Sequence, residues 1–202
     1  MVLAEGGYGI GKMEAISRLL IREHTPLTVI PVCGKNEALH RRLLALRPTE
    51  EVTFRPYGFT EQILELEAAA DVFCGKSGNI LAEITFFGNP SIVTNCTSLI
   101  ERQIADHYIR RVGSAMKELS PQKTVERIRR FAREPELLEP YRQAARASRA
   151  RFGAETAADL LWERIAERFP ELRNTEDRAG SAPPDPGQES AHAAGSYGTE
   201  TK

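Results

Sequence analysis

No run of apolar residues in this 202-residue sequence reaches the roughly 20 needed to cross a bilayer. The N-terminus has no cationic start, apolar stretch and small-residue cleavage site, so no secretory leader is expected. There is no charge excess either. The 27 basic and 28 acidic residues leave a formal net charge of -1, which argues against a general nucleic-acid binder, whose phosphate contacts need a basic surplus. Cysteine is scarce. Cys33, Cys74 and Cys96 are odd in number and none stands in a Cys-x-x-Cys pair, the usage of reduced thiols in a cytosolic protein rather than of a disulfide framework or a metal site.

What is present is an alternation of strand-like and helix-like segments. Leu27 to Cys33 is an apolar, β-branched run bounded by Pro26 and Gly34, and Val52 to Phe54, Val72 to Cys74 and Ser91 to Thr94 are shorter runs of the same kind. Between them, Met13, Ile16, Leu19 and Leu20, then Leu39, Leu43 and Leu46, then Ile63, Leu64 and Leu66 recur at helical spacing. This predicts an α/β fold, a Rossmann-like parallel sheet with helices on both faces. Further on, Ser120 is expected to cap a helix that Pro121 starts and that carries Val125, Ile128 and Ala132; a final helix carries Ala157, Leu161 and Ile165. From about Asn174 the chain turns to Gly, Ser, Pro, Ala and acidic residues with little to bury. The expected organisation is one domain over 1–173 and a disordered tail over 174–202, clearest from Ser181 to Lys202.

Two glycine clusters sit where strands hand over to helices. Gly6-Gly7-Tyr8-Gly9-Ile10-Gly11-Lys12-Met13 is nearly a nucleotide-triphosphate loop, with Gly6, Gly11 and Lys12 at that spacing, but Met13 stands where a hydroxyl must hold magnesium. A dinucleotide fingerprint fits no better, because no further glycine follows at the required step. What remains is a turn able to cradle a diphosphate at a helix N-terminus, or a purely structural tight turn. The second cluster, Gly75-Lys76-Ser77-Gly78-Asn79, follows the Val72 to Cys74 run. At the carboxyl edge of a parallel sheet two such turns can face one ligand. Glu83 then falls in the first helical turn, where a carboxylate can accept both hydrogens of a ribose cis-diol or merely complement the helix dipole.

In their order and spacing, the segments GGYGIGKM, VIPVCGKNEALHRRL, YGFTEQILELEAAADVFCGKSGNILAEITFFGNPSIV and ERQIAD resemble the C-terminal, donor-binding half of GT-B glycosyltransferases. The types most similar are monogalactosyldiacylglycerol synthase, the processive diacylglycerol glucosyltransferases and the lipid II GlcNAc transferase, and the resemblance covers roughly Met1 to Phe169. It implies that Gly7, Gly9 and Gly11 lie against the donor diphosphate and that Gly34, Lys35 and Asn36 border the same cleft. It implies that Gly58, Phe59 and Thr60 hold the uracil; read without it, they are a turn with a core phenylalanine. Ser77, Gly78 and Asn79 would approach the phosphates and Glu83 the ribose, while Gln103, with Glu101 beside it, would meet sugar hydroxyls. Where family members often carry Asn, this chain has Asp106. Without the resemblance, Glu101 to Arg111 reads as a solvated helix face.

The function so implied is the UDP-sugar-binding half of a hexosyltransferase acting on a lipid or other acceptor, inverting and metal-free, with no cofactor beyond the donor substrate. No Asp-x-Asp pair is present to bridge a metal to a diphosphate. The family takes its acceptor site and catalytic base from an N-terminal domain, and here Met1 precedes the glycine turn by only a few residues. The chain alone is therefore expected to be a fragment or one subunit of a split enzyme, inactive in transfer, cytoplasmic, and touching a membrane or lipid acceptor only peripherally through its partner half. No catalytic residue is named within it. His24, His40, His107 and His192 are read as surface residues, and the Arg-rich stretch Arg127 to Arg151 as a solvated helical face. A non-catalytic nucleotide-binding or regulatory module is the alternative. A magnesium-dependent phosphotransferase is disfavoured by Met13.

Overall fold

A strand of only three residues, Val2–Ala4 (β1), forms the centre of the sheet in the computed structural model, which describes residues 1–149, 153–170 and 172. Around it lie Leu27–Val32 (β2), Val52–Phe54 (β3), Phe73–Lys76 (β4), Ser91–Asn95 (β5) and Ala115–Lys117 (β6). The order is β3-β2-β1-β4-β5-β6 and every pairing is parallel. The helices are Met13–Arg22 (α1), Glu37–Leu44 (α2), Ile63–Ala68 (α3), Ile80–Phe86 (α4), Leu99–Asp106 (α5), Pro121–Arg133 (α6), Glu139–Arg149 (α7) and Ala154–Arg168 (α8). The Rossmann-like arrangement expected from the alternation is the one observed.

Strand periodicity divides the core in two. Leu3, Cys74, Ile92 and Met116 face one side, where they meet Met13, Ile16 and Leu20 of α1, Leu39 and Leu43 of α2, and Val125, Ile128 and Phe131 of α6. Val2, Ala4, Phe73, Val93 and Ala115 face the other, against Leu81 and Ile84 of α4 and Ala105 of α5, with Ile63 and Leu66 of α3 beside them. Because both faces are covered, the strands read as continuous apolar runs. Burying one such aliphatic side chain contributes roughly 1.5–3 kcal/mol.

Local differences from the sequence reading have identifiable causes. The second glycine cluster is half strand: Gly75 and Lys76 continue β4, because a Cβ at Gly75 would overlap the Ala4 carbonyl and only glycine lets β1 and β4 lie so close. The turn itself is Ser77–Asn79. β6 has too few residues for a pattern, and it exists through its pairing with β5. The segment after α5 is not a plain solvated face. It widens into a π-helical turn over His107–Val112, and Tyr108 and Ile109 pack on the second core cluster. Ser120 does not cap α6 with its side chain: its Oγ donates to Gln122 Oε1 at 2.9 Å, while its carbonyl accepts from Thr124 N and Oγ1. Several arginines of α6 and α7 are paired, among them Arg129 with Glu23 at 3.0 Å, Arg127 with Glu118 and Arg142 with Asp71 at 3.3 Å.

The chain divides into two units, Met1–Phe152 and a second that begins at Gly153 and contains α8. Arg151, His192 and the tail expected over 174–202 lie outside the described residues. Among the described residues no helix is long and apolar enough to cross a membrane.

Candidate functional site

Six parallel strands deliver all their exits to one edge of the sheet, and the order reverses between β1 and β4. The crevice outside such a reversal is where open α/β sheets bind ligands. Here it is flanked by the β1–α1 turn, Glu5 to Lys12, and the β4–α4 turn, Ser77 to Asn79. The first is held rigidly. Gly9 N donates to Gly6 O at 3.0 Å and Lys35 N donates to Gly7 O at 2.8 Å, so the β2–α2 loop is bonded to it. Gly34 adopts φ +58°, and a Cβ there would overlap the Gly7 carbonyl. Asn36 joins the same loops, its Nδ2 donating to Tyr8 O at 3.1 Å while its Oδ1 caps α2 by accepting from Leu39 N at 2.9 Å.

The glycines of the site divide by what occupies the place of a side chain. Gly9 backs onto the Cys33 carbonyl, and Gly11 makes room for the Glu5 carboxyl, so both are required inside the protein. Gly7 and Gly78 differ. Neither has a left-handed φ, and among the described residues no atom beyond the chain neighbours lies within 4 Å of where a Cβ would be. Nothing among the described residues demands glycine at either position, and the two stand at adjacent strand exits, after β1 and after β4.

A buried polar network underlies these turns, and sequence reasoning missed it. Glu5, at the end of β1, is 2% exposed; its Oε1 accepts from Lys12 N at 3.1 Å and from Thr94 Oγ1 at 2.9 Å, while Oε2 has no partner among the described residues. Burial raises its pKa, and the bonds from Lys12 and Thr94 oppose that rise. Lys12 Nζ donates to Thr94 O at 2.8 Å and to Leu119 O. The lysine at nucleotide-loop spacing thus ties β5 to the loop after β6. Lys76 leans under Gly6 and pairs with Glu101 at 2.6 Å. Glu101 also accepts from Thr97 N at 2.6 Å and Thr97 Oγ1 at 2.8 Å. Burial alone would raise the Glu101 pKa, but these donors reverse it to about 2. Ser77, buried, donates its Oγ to Glu101 O at 2.8 Å. The signals available in the sequence were a carboxylate directly before Gly6-Gly7 and a lysine inside the second glycine cluster.

The remaining candidates line the same edge. Phe59 is 67% exposed on the β3–α3 loop, so it is not a core residue. Gly58 beside it lies against the His40 ring, whose Nε2 is 3.2 Å from Pro56 O. Thr60 Oγ1 accepts from Gln62 N at 3.1 Å. Glu83 is exposed in the first turn of α4. Gly78, Asn79, Gln103 and His107 surround a hollow of about 370 Å³ between α4 and α5. His24, with φ +48°, pairs with Glu51 at 3.3 Å, just past the C-terminal end of α1 and so at the other end of that helix from the β1–α1 turn. Cys33 and Cys74 are buried and Cys96 half-buried; all are free, and burial pushes the Cys33 thiol up to about 11.

No family model matches the chain. It is 27% identical over 166 residues to a processive diacylglycerol β-glucosyltransferase of Bacillus pumilus (strain SAFR-032), an alignment covering 81% of this chain and 43% of that protein. Among solved structures it is similar to the glycosyltransferase VinC in complex with dTDP, with a TM-score of 0.53 at 14% identity over 83% of this chain and 41% of that one. It is also similar to the glycosyltransferase of kitacinnamycin, with a TM-score of 0.56 at 19% identity over 80% and 42% respectively. The chain thus spans less than half the length of each of these proteins. The fold is that of a GT-B glycosyltransferase half, and the resemblance drawn from the motifs is borne out by this likeness in sequence and fold.

Proposed function

We propose that this chain is the UDP-sugar-binding half of a hexosyltransferase that passes a sugar to a lipid or other acceptor, the acceptor site and catalytic base coming from a second half. The observation that carries the reading is the pair Gly7 and Gly78. Both lack side chains with no internal reason to, on neighbouring strand exits at the sheet's topological reversal, and a diphosphate that must approach backbone closely supplies the missing reason. In this reading Gly7, with Gly9 and Gly11 shaping the turn, and Ser77, Gly78 and Asn79 receive the diphosphate. Gly34 and Asn36 brace the turn from β2, and Glu101 holds Lys76 beside it. The N-terminus of α1, backbone amides and the Lys76 cation stabilise the departing nucleotide without a metal, while the acceptor oxygen, deprotonated by the base of the second half, attacks the opposite face of the sugar carbon and inverts it.

Gly58, Phe59 and Thr60 take the uracil, whose imide edge is shared by the thymine of the dTDP in the VinC structure. Glu83 takes the ribose and Gln103 the sugar. Tyr8 and Ile10 of the β1–α1 turn, Leu99 and Ile100 in the first turn of α5 and Leu119 after β6 are exposed at this same edge, an apolar rim suited to a second half closing over the crevice. Likeness to a diacylglycerol glucosyltransferase supports a lipid acceptor and peripheral membrane contact through that half.

The test is thermal unfolding with nucleotides. A ligand that binds only the native state raises the melting temperature by mass action, so UDP at about 100 times its Kd is expected to add about 2.7 kcal/mol. ATP with magnesium is expected to add nothing, because Lys12 is bonded to Thr94 O and Leu119 O and Met13 is buried. Stabilisation by ATP alone, or equally by both, would overturn the donor assignment; calorimetry with UDP-, dTDP- and GDP-sugars then ranks the donors.

A further inference from the structure

Glu67 lies on the apolar face of α3, one turn after Ile63, and is wholly buried where the pattern calls for a hydrophobe. Around it α3 and α4 pack through Ile63, Leu66, Leu81 and Ile84. Neither carboxyl oxygen meets a protein N–H or hydroxyl donor among the described residues. Asn89, from the turn after α4, donates to the Glu67 backbone carbonyl at 2.9 Å and leaves the carboxyl alone. The group facing that carboxyl is the carboxyl of Glu83, within hydrogen-bonding reach, and no cation offsets the two among the described residues. On α7, which packs against α4, Arg142 pairs with Asp71, Arg146 with Glu139, and Arg149 lies over the Phe86 ring. Two carboxyls in contact, one of them dehydrated, cannot both be ionised, so the pair keeps a proton.

We propose that Glu67 is a positioning residue for nucleotide binding: as a neutral acid it donates its proton to one oxygen of Glu83 and so orients that carboxylate toward a ribose cis-diol. This rests on the reading that Glu83 holds the ribose. The physical advantage is that Glu83, exposed and on a side chain with three rotatable bonds, would otherwise lose rotamer freedom on binding. The buried acid fixes it beforehand, without recruiting a cation that would compete with the diol for the carboxylate oxygens. Burial, then the Glu83 charge and its hydrogen bond, raise the Glu67 pKa to about 8. Above that pH Glu67 ionises, the donor is lost, and the two carboxylates repel.

Calorimetric UDP binding between about pH 7.2 and 8.8 tests this in the wild type, Glu67→Gln, Glu67→Leu and Glu83→Gln. One group titrating near pH 8 is expected to weaken wild-type binding about sixfold across that range. Glu67→Gln keeps a neutral donor of the same length, so it should bind as the wild type does at the lower pH and lose the pH dependence. Glu67→Leu, with no donor, should bind several-fold more weakly at both values. The uracil imide titrates at higher pH and does so equally in all variants. Parallel pH profiles in wild type and Glu67→Gln, with Glu83→Gln still weakening UDP, would overturn the role of Glu67 and leave the ribose assignment standing. Unchanged affinity in Glu83→Gln would overturn both.

Discussion

Replacing Gly34 and Gly7 by alanine, one at a time, should separate the glycine that builds the site from the glycine that serves it. Gly34 sits at φ +58° with its open face against the Gly7 carbonyl, the acceptor of the Lys35 N–H. An alanine there costs about 1–2 kcal/mol for the left-handed backbone. Displacing the Gly7 carbonyl costs about 1 kcal/mol more as the hydrogen bond is lost. The sum, roughly 2–3 kcal/mol, corresponds to a fall in Tm of about 4–12 °C for a chain of this size. Gly7 has neither feature: its φ is not left-handed and, among the described residues, no atom beyond the chain neighbours stands within 4 Å of a Cβ. Gly7→Ala should therefore change stability by no more than about 0.5–1 kcal/mol, in either direction. Yet its methyl occupies the space a phosphate needs, so UDP affinity should drop at least about tenfold, or 1.4 kcal/mol. Differential scanning calorimetry reads the first quantity and titration calorimetry the second. Wild-type UDP affinity in Gly7→Ala would refute the cradle, and a wild-type Tm in Gly34→Ala would refute the argument that the two loops are locked.

Gln103→Ala should weaken binding of a UDP-sugar while leaving UDP nearly unchanged, because the group proposed to meet it is a sugar hydroxyl; the two Kd values from one titration series decide it. Glu101→Gln should destabilise the protein at neutral pH by on the order of 1–2 kcal/mol, allowing for partial exposure of the Lys76 pair. Its folded pKa, about 2, lies below the unfolded value, so the contribution is present above pH 4.5 and is lost as pH falls through the folded value. The Tm gap between wild type and variant should close toward pH 2, and a gap independent of pH would exclude the ion pair as its source.

Fold class and the edge that carries the site were legible in the sequence because they depend on neighbours in the chain. Apolar runs such as Leu27 to Cys33, helical spacing such as Met13, Ile16 and Leu20, and glycine clusters at strand exits report local backbone preference and the burial that follows from it. β6 was not legible, because three residues carry no period and only pairing with β5 makes Ala115 to Lys117 a strand. Nor could the sequence distinguish Gly7 from Gly34, since one is defined by empty space and the other by a carbonyl from another loop. Lys12 shows the limit most directly. Its spacing suggested a phosphate ligand, and tertiary structure gave it instead to the carbonyls of Thr94 and Leu119, separated from it by 82 and 107 residues. The burial of Glu5 and Glu67 was decided in the same way. Whether a carboxylate is solvated, paired or forced to keep a proton depends on which distant elements close over it, and the chain encodes that only by packing as a whole.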